Sequence, residues 1–201
     1  MSYGLMAYAV DLDRIAQAVG SGDQVLLETL LARFGNDFDE LDKMAADCAD
    51  EDAGEVAPTM RDVLTQMVSA SAYHENFGFL YGYALKFLCE HFGSFLPNNE
   101  TGDAELLEST DELLEDDGLP GSAPKLTELI YRGSPIAIPA IDDFPVIGYL
   151  KRAEIVAAAK AYQYVHLDEW EDDEAAAAVA QIRGWFETCC RQRCDLVCFY
   201  H

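Results

Sequence analysis

The chain is poor in basic residues. Its 201 residues include 13 Lys and Arg against 37 Asp and Glu, which gives a formal net charge of -24 and a pI near 4.2. Proteins that bind nucleic acid or anionic membranes need Lys and Arg to neutralise phosphates. The composition therefore predicts neither a nucleic-acid partner nor a membrane partner.

The chain also lacks a targeting or membrane-spanning pattern. The apolar run at residues 3–10 follows no basic segment and is far shorter than the roughly 20 apolar residues that span a bilayer. The six cysteines do not form the evenly spaced framework of a small secreted domain, so we expect reduced thiols. Together these absences predict a cytoplasmic protein.

Common catalytic motifs are absent as well. The sequence contains no GxxxxGK[ST], GxGxxG, HExxH or GxSxG pattern. These patterns mark nucleotide-binding loops, zinc proteases and serine hydrolases. No cofactor is predicted, and the question of an enzymatic activity stays open, with the absences favouring a non-enzymatic protein.

Hydrophobic periodicity predicts an α+β fold: a helix-rich single domain with a small sheet that contains the N- and C-terminal strands. Residues 2–10 and 196–200 are apolar on both strand faces, which is typical of strands covered on two sides. A mobile acidic segment is predicted at about 97–121, and a proline-rich extended segment follows residue 131. Helices are predicted at 11–19, 24–34, 37–50, 59–70, 76–95, 104–115, 125–131, 151–164 and 172–191.

Three of these helices carry specific expectations. Asp23 is expected to cap the helix at 24–34. Cys48 is expected on the buried stripe of the helix at 37–50. The helix at 76–95 is apolar nearly all round, and this pattern is typical of a central, buried helix.

The acidic residues are clustered in three segments. Residues 37–55 contain nine acidic residues and one lysine, residues 90–117 contain ten acidic residues and no Lys or Arg, and six of the seven residues at 168–174 are acidic. Such runs are typical of a solvated face, and they also fit a surface that docks a basic protein partner. Adaptation to a saline habitat is a third interpretation.

Four of the six cysteines lie in the final CCRQRCDLVCFYH. The spacing of Cys190, Cys194 and Cys198 matches none of the common zinc or iron–sulfur patterns. A helix-to-strand change after Arg193 would also scatter these thiols. We predict a packed end of the domain with no metal site, while a thiol activated by Arg191 or Arg193 stays open as an alternative.

The segment YHENFG supplies the first candidate binding residues: Tyr73, His74, Glu75 and Asn76. His74 and Glu75 would suit a general acid/base pair, because imidazole titrates near neutral pH and a carboxylate can orient it. The competing interpretation is a helix N-terminus, where Glu75 or Asn76 caps the helix.

Asp142 and Asp143 form the second candidate, since paired carboxylates can hold a divalent cation or share a proton. A turn before Phe144 and Pro145 would use the same residues. The acidic run HLDEWEDDE at 166–174 lacks the glycine and oxygen spacing of an EF-hand loop. Its simpler role is to start the next helix with negative charge.

Three segments carry a resemblance to a known family: SYGLMAYAVDLDRI, GYLKRAEIVAAAKAY and IRGWFETCCRQRCDLVCFYH. Together they resemble the YfbM-like group of uncharacterised bacterial proteins. The resemblance implies a compact cytoplasmic α+β protein whose terminal strands share a small sheet, and it implies no known activity and no catalytic residues. Such proteins tend to have a glycine at the last helix–strand junction, where this chain has RQRC.

These observations favour a bacterial, non-enzymatic interaction module of the immunity or regulatory type, whose acidic face docks a basic protein. The alternative is a small-molecule-binding protein or enzyme with a pocket near residues 73–76 and 142–143. The sequence leaves the oligomeric state open.

Overall fold

The computed structural model describes residues 4–49, 56–97 and 104–201. The described chain contains four β-strands and nine α-helices, and this confirms the predicted α+β class. The strands are β1 Leu5–Val10, β2 Ser94–Leu96, β3 Val146–Leu150 and β4 Asp195–Tyr200. The helices are α1 Leu12–Ala18, α2 Gln24–Phe34, α3 Phe38–Cys48, α4 Met60–Ser69, α5 Gly78–Phe92, α6 Ala104–Asp116, α7 Glu128–Tyr131, α8 Arg152–Tyr162 and α9 Asp173–Gln192.

Contacts divide the chain into two compact units. Unit 1 comprises residues 1–12, 93–135 and 146–201, and unit 2 comprises residues 13–92 and 136–145. The single domain and the mobile segment at about 97–121 both stay predictions. Residues 98–103 of that segment lie outside the described residues, as do residues 2 and 3 of the predicted first strand.

Unit 1 is built on an antiparallel sheet with strand order β2-β1-β4-β3. The two terminal strands share this sheet, as predicted, and they form its central pair: Leu5 pairs with Tyr200, Ala7 with Cys198 and Val10 with Asp195. The face of the sheet that carries Leu5, Ala7, Leu196 and Cys198 packs on the core side chains of α6, α8 and α9.

The opposite face of the sheet is also apolar and buried. Tyr8, Val197 and Phe199 are at most 1% exposed, and the ring of Tyr8 meets that of Phe199 edge to face at 6.0 Å. Both faces therefore exclude water, which explains why β1 is apolar at every position from Leu5 to Val10 and β4 at every position from Leu196 to Tyr200.

The sequence reasoning missed the two outer strands. Ser94–Leu96 is three residues long and was assigned partly to the preceding helix, yet it pairs with β1 through Ala7↔Leu96. Val146–Leu150 follows the prolines and was interpreted as part of the extended segment. Each strand is too short for a detectable alternation of apolar and polar residues, and pairing with a neighbouring strand identifies each of them.

The last helix ends in a Schellman motif. Arg193 adopts the left-handed conformation (φ 60°, ψ 44°), its N–H donates to Cys190 O, and the N–H of Cys194 donates to Cys189 O at 3.1 Å. Arg193 thus occupies the position that a glycine usually fills, and the chain turns directly from α9 into β4.

Unit 2 is mainly helical. The Asp23 side chain accepts hydrogen bonds from the N–H groups of Val25 and Leu26, so the predicted cap of α2 is confirmed. Helix α5 is buried along most of its length, also as predicted. The chain at 136–145 lies directly on α5, since a Cβ at Gly78 would overlap the backbone of Ala140.

The expectation for Cys48 was wrong. In α3 the buried residues are Phe38, Leu41 and Ala45, whereas Met44 and Cys48 are exposed. At 100° per residue, Met44 and Cys48 lie about 90° and about 50° to one side of the buried stripe, and Cys48 is also the last residue of the helix.

Among the described residues, no helix is both long enough and apolar enough to cross a membrane.

Candidate functional site

An open groove of about 440 Å³ lies in unit 1 between the end of α6 and the segment that leads into α9. One half-buried indole and one leucine lie among five carboxylates. The lining residues are Leu113, Asp116, Asp117, Glu169, Trp170, Glu171 and Asp172. We call this feature the acidic groove.

Local hydrogen bonds fix the Trp170 side of the acidic groove. Leu167–Glu169 forms a 3₁₀ turn, after which the Trp170 N–H donates to Leu167 O at 3.3 Å. Asp172 then caps α9 by accepting hydrogen bonds from the N–H groups of Glu174 and Ala175 at 3.0 and 2.9 Å. The predicted role of this acidic run in starting the helix is therefore confirmed.

The other side of the groove is the C-terminal end of α6. Leu114 is fully buried in the core of unit 1, while Asp116 and Asp117 are exposed. The N–H of Leu119 donates to Leu114 O at 2.8 Å and Gly118 takes a positive φ of 84°, so the helix ends in a defined turn. The last turn of α6 contains no basic residue.

The carboxylates of the acidic groove have no ion-pair partner among the described residues, whose salt bridges join other groups. Burial lowers the pKa of the Arg183 guanidinium, and the negative charge of Asp117 partly opposes this lowering. The Arg183 guanidinium donates to Val165 O at 2.6 Å and is thereby held by the backbone. The groove therefore presents five carboxylates with one nearby cation, and its field is negative.

A second groove in unit 1, of about 340 Å³, shows the contrasting arrangement. It contains two carboxylates, Glu128 and Glu154, and Arg132 pairs with both at 3.5 and 2.7 Å. Arg132 lowers the pKa of Glu154, mainly through their hydrogen bond. These acids are compensated within the protein, which leaves less charge for a ligand.

The first predicted site group lies before α5 in unit 2. Tyr73 is half-buried and its ring packs on Tyr81 at 4.7 Å, whereas His74, Glu75 and Asn76 are exposed. The Tyr81 hydroxyl donates to Gln66 and accepts the N–H of His74 at 2.8 Å. These contacts fix the backbone before the helix, as a structural role requires.

The second predicted group, Asp142 and Asp143, is exposed. Burial raises the pKa of both Tyr83 and Tyr81. The negative charge of Asp143 adds to the rise at Tyr83, and that of Glu75 adds to the rise at Tyr81. Tyr81 and Tyr83 point about 200° apart around the axis of α5, because each helical residue turns the direction by about 100°. Glu75 and Asp143 thus act on tyrosines that point in different directions, and a pocket shared by the two groups stays a prediction.

Sequence reasoning missed the acidic groove. It separated Asp116 and Asp117, in one acidic cluster, from Glu169, Glu171 and Asp172 in another, and only the tertiary fold brings the two clusters together. The signal that could have drawn attention was Trp170, one of two tryptophans in the chain, inside a run that is otherwise acidic.

The C-terminal cysteines do not assemble a metal site in the described part of the chain, where no group of three His, Cys, Asp or Glu side chains is placed to hold an ion. Cys189, Cys194 and Cys198 are buried and Cys190 is partly exposed. The packed end that was expected for Cys198 is confirmed, since it is 0% exposed and central in the sheet.

The whole chain, residues 1–201, matches the domain of unknown function DUF7691. The protein belongs to this family. No curated protein and no solved structure matches the chain. The family assignment carries no activity, and the relation to the YfbM-like group stays a prediction.

Proposed function

We propose that this DUF7691 protein is a non-enzymatic interaction module whose acidic groove binds a Lys or Arg side chain of a basic protein partner. The observation that carries the proposal is the half-buried indole of Trp170 among five carboxylates that lack an ion-pair partner in the described structure. The electrostatics select a cation, and the indole selects one that can lie on an aromatic face.

The chemistry of the groove favours a guanidinium or ammonium group over a metal ion. A cation above the face of a tryptophan gains about 0.5 to 2 kcal/mol, in addition to its attraction to nearby carboxylates. Leu113 and the indole of Trp170 also offer apolar surface to the methylene stem of a long basic side chain. A divalent ion has no methylene stem that could pack on these two residues.

The position of Asp116 and Asp117 supports the proposal. Both lie at the C-terminal end of α6, where the helix dipole is negative and an acidic side chain costs about 0.3 to 1 kcal/mol. Residues that break a local stability rule are expected where a function requires them.

The clustered charge and the missing catalytic motifs support an interaction protein of the immunity or regulatory type, and we place this protein in the bacterial cytoplasm. Its partner would carry a basic surface with at least one protruding Arg or Lys. Opposite surface charge accelerates such encounters and makes them sensitive to ionic strength.

The direct test measures binding of a fluorescein-labelled hexa-arginine peptide by anisotropy. The paired substitution Asp116→Asn and Asp117→Asn should weaken binding about tenfold, which corresponds to about 1.4 kcal/mol. Trp170→Leu keeps the charge and the apolar surface but removes the aromatic face, and should weaken binding about threefold.

The matched control is the paired substitution Asp39→Asn and Asp47→Asn on α3. It removes the same charge from exposed positions that do not line the groove. Binding should change less than about twofold, since only the long-range field is altered. Equal losses in the two paired variants would show that the peptide follows net charge, and this would overturn the proposal.

A further inference from the structure

The Schellman motif at the end of α9 brings two cysteines into contact. Cys194 N–H donates to Cys189 O at 3.1 Å, and this bond places the two residues on either side of one backbone turn. Their side chains interlock there: the Cys189 thiol lies 3.7 Å from Asp195 O and the Cys194 thiol lies 3.8 Å from Cys189 O. Both thiols therefore lie at the same backbone turn.

The neighbouring cysteines are placed differently. Cys198 lies in the middle of β4, paired with Ala7, and burial raises the pKa of its thiol. Cys190 is partly exposed, one residue from Cys189 and therefore turned about 100° around the helix axis. Cys48 is exposed on α3 in unit 2. The described contacts thus single out one pair among the six cysteines.

We propose that Cys189 and Cys194 are a redox modification site that a low-molecular-weight disulfide converts to an intrachain disulfide. The inference rests on the placement of the two cysteines across one backbone turn and is independent of the acidic groove. Buried cysteines usually act as small apolar core residues, and the proposal gives this pair a redox role in addition.

Cys194 is the residue that reacts first. It retains 8% exposure, whereas Cys189 is fully buried. The neighbouring Cys189 thiol lowers the pKa of Cys194, and Cys194 raises that of Cys189, while burial and the carboxylates of Asp195 and Asp11 oppose the lowering at Cys194. The sulfur with more thiolate character is therefore also the more accessible one.

The exchange then proceeds in two balanced steps. The Cys194 thiolate attacks one sulfur of the external disulfide, a new S–S bond forms, and the first small thiolate leaves. The Cys189 thiolate next attacks the Cys194 sulfur of this mixed disulfide, which forms the Cys189–Cys194 bond and releases the second small thiolate. The two protons of the cysteines end on the two released thiols.

The test incubates the full-length native protein with oxidised glutathione, then denatures it, alkylates the remaining thiols with iodoacetamide and measures the intact mass. Compared with the untreated protein, the expected product has one glutathione at the exposed Cys48 and has lost two further alkylated thiols without gaining glutathione there. Tandem mass spectrometry of the disulfide-linked tryptic peptides GWFETCCR and CDLVCFYH should place the bond between Cys189 and Cys194.

Variants give the matched controls. Cys190→Ala should retain the intrachain bond, whereas Cys189→Ala should stop the reaction at glutathione attached to Cys194. Cys48, an exposed thiol outside the pair, reports whether the reagent was active. The proposal is overturned if the native wild-type protein keeps both thiols while Cys48 is glutathionylated, or if the bond joins Cys190 to Cys194. The wild-type result decides even if a variant fails to fold.

Discussion

The four-stranded sheet and the acidic groove lie in the same unit, but their side chains differ in burial and in the partners they have within the chain. In the sheet, Tyr8, Cys198 and Phe199 are almost completely buried and every central strand has a hydrogen-bonded neighbour. In the groove, five carboxylates lie around a half-buried indole without an internal ion-pair partner among the described residues. The strands and their apolar side chains find partners within the chain, whereas the groove carboxylates form no ion pair with the described residues.

This difference separates stability from function. Substitutions in the sheet should lower the free energy of unfolding, while substitutions in the groove should change binding and leave the fold intact. Matched substitutions at buried and exposed positions test this separation.

The largest effect is expected for Cys198→Asp. A carboxylate at this fully buried position has neither water nor a cationic partner, so the free energy of unfolding should fall by about 3 to 5 kcal/mol. Cys48→Asp makes the same change at an exposed position at the end of α3, where the helix dipole adds only about 0.3 to 1 kcal/mol, so the loss should stay at or below about 1 kcal/mol. Urea unfolding followed by circular dichroism measures both. Similar losses at the two positions would contradict the buried assignment of Cys198.

The second effect concerns the approach of α7 to the sheet. A Cβ at Gly148 would overlap the backbone of Glu128 and Leu129, so Gly148→Ala should destabilise the protein by about 3 kcal/mol or more. Gly184 has open space around it inside α9, and Gly184→Ala should stabilise by about 0.5 to 1 kcal/mol. Thermal melts of the two variants should therefore shift in opposite directions. A tolerated alanine at Gly148 would mean that α7 does not lie against β3.

The third effect depends on pH. Arg132 lowers the pKa of Glu154 below its ordinary value of 4.5, so the pair stabilises the folded state above that pH and loses its contribution as the pH falls through the folded-state pKa. The Glu154 side chain is about one-third exposed (34%), and we expect a contribution of about 1 kcal/mol or less.

The measurement compares melting temperatures of the wild type and Glu154→Gln between pH 7 and pH 2.5. The variant should melt lower at pH 7 and should converge with the wild type in acid. Glu112→Gln, an exposed substitution on α6, serves as the control. A difference between Glu154→Gln and the wild type that persists unchanged at pH 2.5 would show that the Glu154 charge is not its source.

The smallest effect is expected in the groove itself. Neutralising Asp116 and Asp117 removes mutual repulsion and an unfavourable interaction with the dipole of α6, so the double Asn variant should melt at or slightly above the wild type in low salt. The wild-type melting temperature should rise with sodium chloride, because the Debye length falls from about 10 Å at 0.1 M to about 3 Å at 1 M. A clear loss of stability in the double variant would mean that these acids serve the fold.

The sequence predicted the sheet better than the groove, and the reason is physical. The pairing of β1 with β4 follows from two segments that are apolar on both faces and need cover on both sides. Asp23 could be predicted as a cap because its signal is local. Cys48 was assigned to the core from spacing alone, since a periodic pattern does not reveal where neighbouring elements stop covering a helix.

The groove depends on non-local contact. Asp116 and Glu169 are more than fifty residues apart, and no periodicity relates them. The outer strands escaped prediction for a similar reason: Ser94–Leu96 becomes a strand only through its pairing with β1. The predicted pocket near residues 73–76 and 142–143 had a local signal in each half, but nothing in the sequence relates one half to the other.

The most direct test of the central claim uses the two tryptophans as paired reporters in one NMR experiment. Trp170 lines the groove, whereas Trp185 is 3% exposed and its indole N–H donates to Pro97 O at 3.0 Å. Hexa-arginine peptide is added to ¹⁵N-labelled protein, and the two indole signals are assigned with Trp170→Phe. The account predicts a saturable shift of the Trp170 indole signal, reversed by salt, while the Trp185 signal stays in place. A Trp170 signal that remains still while amide signals elsewhere shift would contradict it.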